Sequence, residues 1–371
     1  MTNNKYTFFL ICNFTSFAGC CKCNKNEEIS CNSDTSNNKD KTNTEDNKTN
    51  NEESAVNTEE NIANTEENII KIEELKKFST FNNHKYEYNV YIYNHTKNLC
   101  EKNEFVKTNI KKSIDLQSHI PENGTKMKVD GVETEIKSTF NIKGETEIKF
   151  EDMTTIQAAL HYLKKTKYKK KIAILNFANW TNPGGGVRGG AVEQEESICR
   201  SSTLYENLIA DNVQEFYKLH LNDEKNYNSG KFNDDIIYTP NVLILKDDSN
   251  STDIKNIDLN NEFNKKNIVS VITCAAPNNS NKNFNYNDIY NIHLSRARRI
   301  IQIALNDNVD IIILGAFGCG AFKNNPVSVS KAYKKILVDD KIKNCFENVI
   351  FAIPDKNSQN YKEFFNTFKK N

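Results

Sequence analysis

The sequence predicts a three-layer α/β/α domain with a mixed central sheet, from about residue 145 to the C-terminus. In this part of the chain, short apolar runs alternate with segments whose apolar residues recur every three or four positions. This alternation indicates strands separated by amphipathic helices. The run Lys171–Phe177 is almost wholly apolar, as is typical of a parallel strand that is covered on both faces.

Each predicted element follows from its own local pattern. Strands are predicted at 146–150, 171–177, 235–246, 267–274, 309–314 and 347–353. Helices are predicted at about 152–165, 194–209, 286–306, 326–339 and 357–369. The polar interval 247–266 is interpreted as a surface insertion.

Two further regions precede this domain. Residues 1–70 are predicted to be a disordered low-complexity tail with a short apolar N-terminus, because few of them could bury apolar surface. Residues 71–144 are predicted to be a β-rich accessory region. There, Tyr86–Tyr93 alternates polar and apolar positions, and Lys126–Ile136 is typical of a hairpin with an Asp130-Gly131 turn.

Charge and cysteine content restrict the function and the compartment. The 49 basic residues equal the 49 acidic ones, whereas a protein that binds nucleic acid directly normally carries a basic excess. Five cysteines are scattered beyond residue 99, as suits free thiols in the cytoplasm or nucleus. The apolar stretch Tyr6–Phe17, followed by Cys20, leaves an N-terminal targeting or lipidation signal open.

The most informative stretch is a glycine loop followed by a carboxylate pair. Pro183-Gly184-Gly185-Gly186 comes soon after the strand 171–177, and Gln194-Glu195-Glu196 opens the next helix. Glycines let backbone amides approach a ligand closely, and strand–loop–helix junctions bind phosphates and sugars. The glutamates add groups that can transfer protons, so this stretch predicts chemistry as well as binding.

A second glycine loop follows the strand 309–314. It spans Gly315–Phe322, and Pro326 then begins a helix. Two such loops at the C-terminal ends of buried strands predict a cleft that holds an elongated phosphorylated ligand.

These blocks resemble the microbial-type poly(ADP-ribose) glycohydrolases, whose catalytic domain is macrodomain-like. The resemblance extends over about residues 145–371, in the family's order. Besides the two loops, it is carried by three further blocks: Leu175–Ala178, Ser197–Tyr205 and Thr273–Asn278. Asn179-Trp180-Thr181 departs from the family by placing a bulky indole in the loop, which affects the expected loop shape and substrate range.

The resemblance implies a role for each matching residue. Glu196 would be the catalytic acid, which protonates the leaving ribose oxygen and then activates water, and Glu195 would hold a ribose hydroxyl. The remaining implied substrate-binding residues are Asn176, Ala178, Gly184, Gly185, Gly186, Gln194, Gly318, Cys319, Gly320, Ala321 and Phe322. No metal or other cofactor is implied.

Glu196 must be protonated to act as an acid, although a free glutamic acid has a pKa near 4.3 and a helix N-terminus favours the anion. Burial beneath the ribose and the substrate's diphosphate would both raise this pKa. Adjacent helical residues do not face each other, so separate roles for Glu195 and Glu196 are expected in place of a shared proton.

Other reactive side chains are assigned structural roles. Cys199 and Cys319 are interpreted as small packed residues, not nucleophiles. The cluster Arg296, Arg298 and Arg299 is interpreted as a solvated helix edge, with polymer contact as the alternative.

The expected function is hydrolysis of ribose–ribose O-glycosidic bonds at the ends of poly(ADP-ribose), with release of ADP-ribose by a monomer. The partners would be the polymer or ADP-ribosylated proteins. Two alternatives remain: a non-catalytic reader that binds ADP-ribose, and a hydrolase of mono-ADP-ribosyl linkages. A reader would need the two loops but not the acid.

Overall fold

A seven-stranded mixed sheet forms the centre of the protein in the computed structural model, which describes residues 82–222, 229–249, 253–280, 282 and 284–369. Its strand order is β1-β6-β9-β5-β10-β11-β4. The strands are β1 (Ser118–Ile120), β4 (Ile148–Glu151), β5 (Ile172–Phe177), β6 (Ile236–Leu243), β9 (Ile268–Cys274), β10 (Ile311–Leu314) and β11 (Asn348–Ala352). The five from β9 to β4 pair in parallel, and β6 is antiparallel to both of its neighbours.

Two small antiparallel pairs lie beside this sheet. They are β2 (Lys126–Val129) with β3 (Val132–Glu135), and β7 (Lys246–Asp247) with β8 (Lys255–Asn256). The first pair confirms the predicted hairpin. Its turn residues Asp130 and Gly131 have φ values of 49° and 84°, as a two-residue hairpin turn with positive φ at both positions requires.

Helices cover both faces of the central sheet. Their bounds are α1 (Asn82–Lys102), α2 (Glu104–Leu116), α3 (Thr155–Lys165), α4 (Gln194–Ser201), α5 (Leu204–Leu208), α6 (Gln214–Asn222), α7 (Tyr286–Asn306), α8 (Pro326–Lys334) and α9 (Gln359–Lys369). Within the described ranges, no helix is both long and apolar enough to cross a membrane.

The core consists of two apolar layers, one on each side of the sheet. Ile172 and Ile174 of β5 pack into the layer that contains α3, α4 and α6, whereas Ala173 and Leu175 pack into the layer beneath α7, α8 and α9. Successive residues of one strand therefore serve both layers, which explains why β5 is apolar throughout. The predicted three-layer α/β/α fold is confirmed.

The helical N-terminal part corrects one prediction. Tyr86–Tyr93, predicted to be a strand, lies inside α1, and α2 follows it directly. From residue 82 onward the accessory region therefore contains two helices, and among its described residues the predicted β character is limited to β1 and the β2–β3 hairpin. The tail predicted at 1–70, with the possible targeting segment, lies outside the described residues.

Candidate active site

The first glycine loop lies directly against α4. Gly184 and Gly185 have φ values of +69° and +56°, a left-handed conformation that favours glycine. A Cβ on Gly185 would lie 2.2 Å from Oε1 of Glu196, and one on Gly184 would lie 2.7 Å from the Tyr205 ring. Only glycine allows the backbone to approach the glutamates this closely.

The end of this loop is held by α1. Gly190 has a φ of +79°, and a Cβ there would lie 2.1 Å from the backbone oxygen of Tyr86. The Asn89 side chain, which is 2% exposed, donates from Nδ2 to the Gly190 oxygen at 2.8 Å. The N-terminal helix is therefore part of the loop's support.

Glu196, in the first turn of α4, faces the glycine loop. Its Oε1 accepts a hydrogen bond from the Gly186 backbone N–H at 2.8 Å, and the residue is only 7% exposed. Burial raises the pKa of this carboxyl, although the Gly186 N–H acts in the opposite direction. A raised pKa is the property that the predicted catalytic acid needs, since it increases the protonated fraction near neutral pH.

Glu195 is held by residues at the end of β5 and just after it. Its Oε2 accepts from the Asn179 backbone N–H at 2.7 Å, and its Oε1 accepts from Nδ2 of Asn176 at 3.1 Å. Burial raises the pKa of Glu195 to about 8, and the neighbouring charge of Glu196 acts in the same direction. The two carboxyl groups thus have separate hydrogen-bond partners.

Three predicted substrate-binding residues lie beneath the glutamates. Gln194 accepts from the Phe177 N–H at 2.9 Å and donates to the Leu175 oxygen at 2.7 Å, which fastens the start of α4 to β5. Asn176 is fully buried, and its Nδ2 also donates to Oγ1 of Thr273 at 3.2 Å. Ala178 is buried in the core. Gln194 and Asn176 thus help to position the start of α4 and the Glu195 carboxyl.

The second glycine loop lies at the same edge of the sheet, because β10 pairs in parallel with β5. Gly318 has a φ of +73°, and a Cβ there would lie 2.6 Å from the Cβ of Ala276. A Cβ on Gly320 would meet no atom within 4 Å, so this part of the loop is open to a ligand. Ala321 completes the loop before Phe322. Burial raises the pKa of the Cys319 thiol, so that the thiol is a poor nucleophile, as its predicted structural role requires.

Trp180 connects the two loops. Its ring centroid lies 5.2 Å from that of Phe322 and 4.6 Å from that of Phe232, which it meets at an interplanar angle of 21°. The bulky residue that departs from the family pattern therefore fills the space between the first loop and Phe322. Phe232 gave no signal in the sequence, because it lies in an irregular segment before β6.

Arg200 is a site residue that the sequence analysis missed. Its Nη1 donates to the Ala191 oxygen at 2.8 Å, and its positive charge lowers the pKa of Glu196. The signal was present in the sequence, since residues four apart on a helix share a face and Arg200 is four residues after Glu196.

The arginine cluster on α7 is not the predicted solvated edge. Arg296 is 1% exposed, and its Nε lies 3.0 Å from Oδ1 of Asp234. Arg299 donates to the backbone oxygens of Pro121 and Gly124. Only Arg298 matches the expectation, because its side chain is 58% exposed. Arg296 and Arg299 instead tie the surrounding backbone to α7.

The site's chemistry rests on carboxyl groups and backbone amides. In the parts of the chain that the structure describes, no group of His, Cys, Asp and Glu side chains could hold a metal ion. Two buried glutamates with raised pKa values, beside two glycine loops at one sheet edge, define a macrodomain-like domain equipped for acid–base chemistry on a sugar-containing ligand.

Comparisons with known proteins relate this domain to one family. Residues 84–247 match the family described as microbial-type PARG, catalytic domain. The poly(ADP-ribose) glycohydrolase of Thermomonospora curvata is 23% identical with a TM-score of 0.62, over 76% of this chain and 99% of that one. The Deinococcus radiodurans enzyme, solved with ADP-ribose, is 29% identical with a TM-score of 0.51, over 61% and 85% of the two chains. No curated protein sequence matches the chain.

Residues 84–247 are therefore similar to the microbial-type PARG catalytic domain. The matched range includes most of α1 and all of α2, which the resemblance seen in the sequence left out.

Proposed function

We propose that the protein hydrolyses the ribose–ribose O-glycosidic bonds at the ends of poly(ADP-ribose) and releases ADP-ribose. The match of residues 84–247 to the microbial-type PARG catalytic domain supports the reaction, and the Deinococcus enzyme with bound ADP-ribose supports the ligand class. The observation that carries the proposal is the position of Glu196, a buried carboxyl with a raised pKa against the open backbone of the glycine loop.

Glu196 acts as the general acid and then as the base. Cleavage of a glycosidic bond passes through an oxocarbenium-like state, and a proton delivered to the leaving oxygen lowers its barrier. The protonated Glu196 donates this proton to the leaving ribose oxygen, and the resulting carboxylate activates the water that attacks the ribose carbon. The Gly186 N–H stabilises the carboxylate between the two steps.

Glu195 and the two loops position the substrate. Glu195 is held in a fixed orientation by Asn176 and Asn179, so that it can meet a ribose hydroxyl. The glycine loops supply backbone amides along the diphosphate, which needs no excess of basic side chains. Phe322, braced by Trp180, packs on a ribose.

Replacing Glu196 by glutamine is the direct test. Glu196→Gln keeps the size of the side chain but removes the transferable proton, so polymer hydrolysis should fall by about 10²–10⁴-fold, the usual contribution of a general acid. ADP-ribose binding, measured by calorimetry, should persist. Glu193→Gln is the matched control, since Glu193 precedes the same helix but is exposed.

The alternatives give different results in the same assays. A wild-type protein that binds ADP-ribose but releases none from the polymer would be a reader or a hydrolase of mono-ADP-ribosyl linkages, and mono-ADP-ribosylated protein would separate these two. Full activity of Glu196→Gln would refute the assigned acid.

The assembly state and compartment are proposals too. The described free cysteines suit a reducing compartment such as the cytoplasm or nucleus, and we propose that the protein acts there as a monomer. Light scattering of the purified chain and imaging of a tagged chain would test both.

A further inference from the structure

An exposed arginine lies on the first glycine loop, close to the proposed catalytic acid. Arg188 belongs to a short 3₁₀ helix, Val187–Gly189, which directly follows Gly186, the residue whose backbone N–H bonds Glu196. Because the chain advances by at most about 3.6 Å per residue, the Cα atoms of Gly186 and Arg188 are at most about 7 Å apart. Gly189 is exposed, and a Cβ there would meet no atom within 4 Å. The surface beside Arg188 is therefore open.

Two tyrosines hold the Arg188 guanidinium in place. Its Nε donates to the hydroxyl of Tyr205 at 2.7 Å, and its central carbon lies 5.5 Å from the centroid of the same ring. The Tyr93 hydroxyl also interacts with the guanidinium, and the Tyr93 and Tyr205 rings meet edge to face at 5.4 Å. Both tyrosines are only 5% exposed. Since the Tyr205 ring also lies against Gly184, the guanidinium and the glycine loop share one rigid support.

This support does not neutralise the charge of Arg188, because tyrosine hydroxyls are uncharged. Among the residues that the structure describes, no carboxylate forms an ion pair with the guanidinium. This holds for the acidic side chains on the surrounding elements, which are Glu87 of α1, Glu193 before α4 and Glu206 of α5. The Nε–H is used by Tyr205, and the outer nitrogens of the planar guanidinium can hold the paired oxygens of a phosphate.

We propose that Arg188 binds a phosphate of the polymer unit next to the bond that is cleaved, an inference that rests on the proposed function. In that reaction Glu196 gives its proton to the oxygen of the leaving ribose. This ribose belongs to the next ADP-ribose unit and carries that unit's diphosphate on the same sugar. Arg188 is the first cation on the loop after its contact with Glu196, so it lies where this second diphosphate leaves the cleft.

The phosphate subsite at Arg188 distinguishes a polymer end from a single ADP-ribose. The diphosphate of the terminal unit is served by the backbone amides of the two glycine loops, whereas only a polymer presents a second diphosphate beside the leaving ribose. A guanidinium keeps its charge at physiological pH and matches the geometry of phosphate. Its fixed position on Tyr205 reduces the entropy that is lost on binding.

Steady-state kinetics on purified poly(ADP-ribose) test this subsite. Arg188→Gln should raise KM about tenfold, as expected for one lost hydrogen bond to a charged group, and leave kcat unchanged, because Arg188 does not touch the reacting atoms. The rise of KM with salt should also be weaker in Arg188→Gln, since one contact between charges is gone. A purely structural role would not alter this salt dependence. Lys111→Gln, which removes one exposed positive charge from α2, should match the wild type.

Calorimetry with ADP-ribose separates this subsite from the site of the terminal unit. ADP-ribose has no second unit, so the wild type and Arg188→Gln should bind it with the same Kd. Tyr205→Phe removes the hydroxyl that orients Nε but keeps the ring against Gly184. It should therefore raise KM for polymer by less than Arg188→Gln does. Thermal unfolding checks that each variant is folded.

Two outcomes would overturn the inference. One is an unchanged KM for polymer in folded Arg188→Gln, and the other is a Kd for ADP-ribose that rises as much as KM, which would place Arg188 at the terminal unit. A wild-type protein that binds ADP-ribose but hydrolyses no polymer would refute the proposed function instead. The affinity for intact polymer then replaces KM: a weaker affinity of Arg188→Gln would support the subsite, and an equal affinity would refute it.

Discussion

At the scale of single residues, the two adjacent glutamates differ in their hydrogen-bond partners. Glu195 accepts hydrogen bonds from Asn176, at the end of β5, and from Asn179, which follows it, whereas Glu196 accepts one from the glycine loop. Both are buried at a helix N-terminus, where the backbone dipoles favour the anion but desolvation favours the neutral acid. Desolvation is the larger effect, since the pKa is raised for both.

The raised pKa of Glu195 predicts that stability falls as pH rises. The unfolded carboxyl titrates near 4.3 and the folded one at about 8, so the native state binds more protons between these values. The free energy of unfolding should therefore decrease from about pH 4.5 to about pH 8, by on the order of 1.4 kcal/mol per pH unit between the two pKa values. Urea unfolding of the wild type and Glu195→Gln across this range measures the slope.

Glu195→Gln should flatten this pH dependence even if the amide disturbs the hydrogen bonds of Asn176 and Asn179, because that disturbance is independent of pH. Glu193→Gln, an exposed neighbour, should keep the wild-type slope. An unchanged slope in Glu195→Gln would show that other buried acids, such as Glu196 and Asp248, dominate.

The position of the two glutamates beside the glycine loop could be predicted from the sequence, and much of what supports them could not. Glu195 and Glu196 follow a glycine loop within one local stretch of sequence, which made the pair recognisable. Asn89 and Gly190 are 101 residues apart, so their contact depends on tertiary structure that no local pattern reports. The positioning role of Gln194 was hidden for a similar reason, because its partners belong to a neighbouring element.

At the scale of elements, the core strands were predictable and α1 was not. The strands β5, β9, β10 and β11 are apolar because helices cover both of their faces. In α1, by contrast, one helix face packs on the glycine loop and α4, and another, with Tyr88 and Ile92, packs on Ile254. Two partly apolar stripes on one helix produced the alternation that resembles a half-buried strand.

The contact between α1 and the glycine loop predicts the effect of Asn89→Ala. The Gly190 oxygen would lose its buried donor, at a cost of about 1–3 kcal/mol in the free energy of unfolding. Because this loop also holds Glu196 through Gly186, kcat for polymer should fall several-fold, whereas Asn94→Ala on the same helix should leave it unchanged. Urea unfolding and steady-state kinetics measure the two effects, and a loss of stability with unchanged kcat would limit α1 to a structural role.

At the scale of the whole molecule, the candidate site is assembled from distant parts of the chain. Its parts come from α1, the end of β5, the start of α4 and the loop after β10, so that residues between 86 and 322 meet at one sheet edge. The parallel pairing of β5 with β10 brings the two glycine loops together. A ligand that contacts both loops therefore binds the folded chain and not the unfolded one.

Binding of ADP-ribose should consequently stabilise the entire fold. At a free concentration about 100 times its Kd, the ligand should add about 2.7 kcal/mol to the free energy of unfolding. Denaturant unfolding should show a higher midpoint with an unchanged slope, since the surface exposed on unfolding stays the same. Glu196→Gln should show a similar increase at the same saturation, because it keeps both loops. A wild-type protein that binds ADP-ribose in calorimetry without any rise in the midpoint would mean that the ligand also binds the unfolded chain, or that the domain does not unfold in a single step.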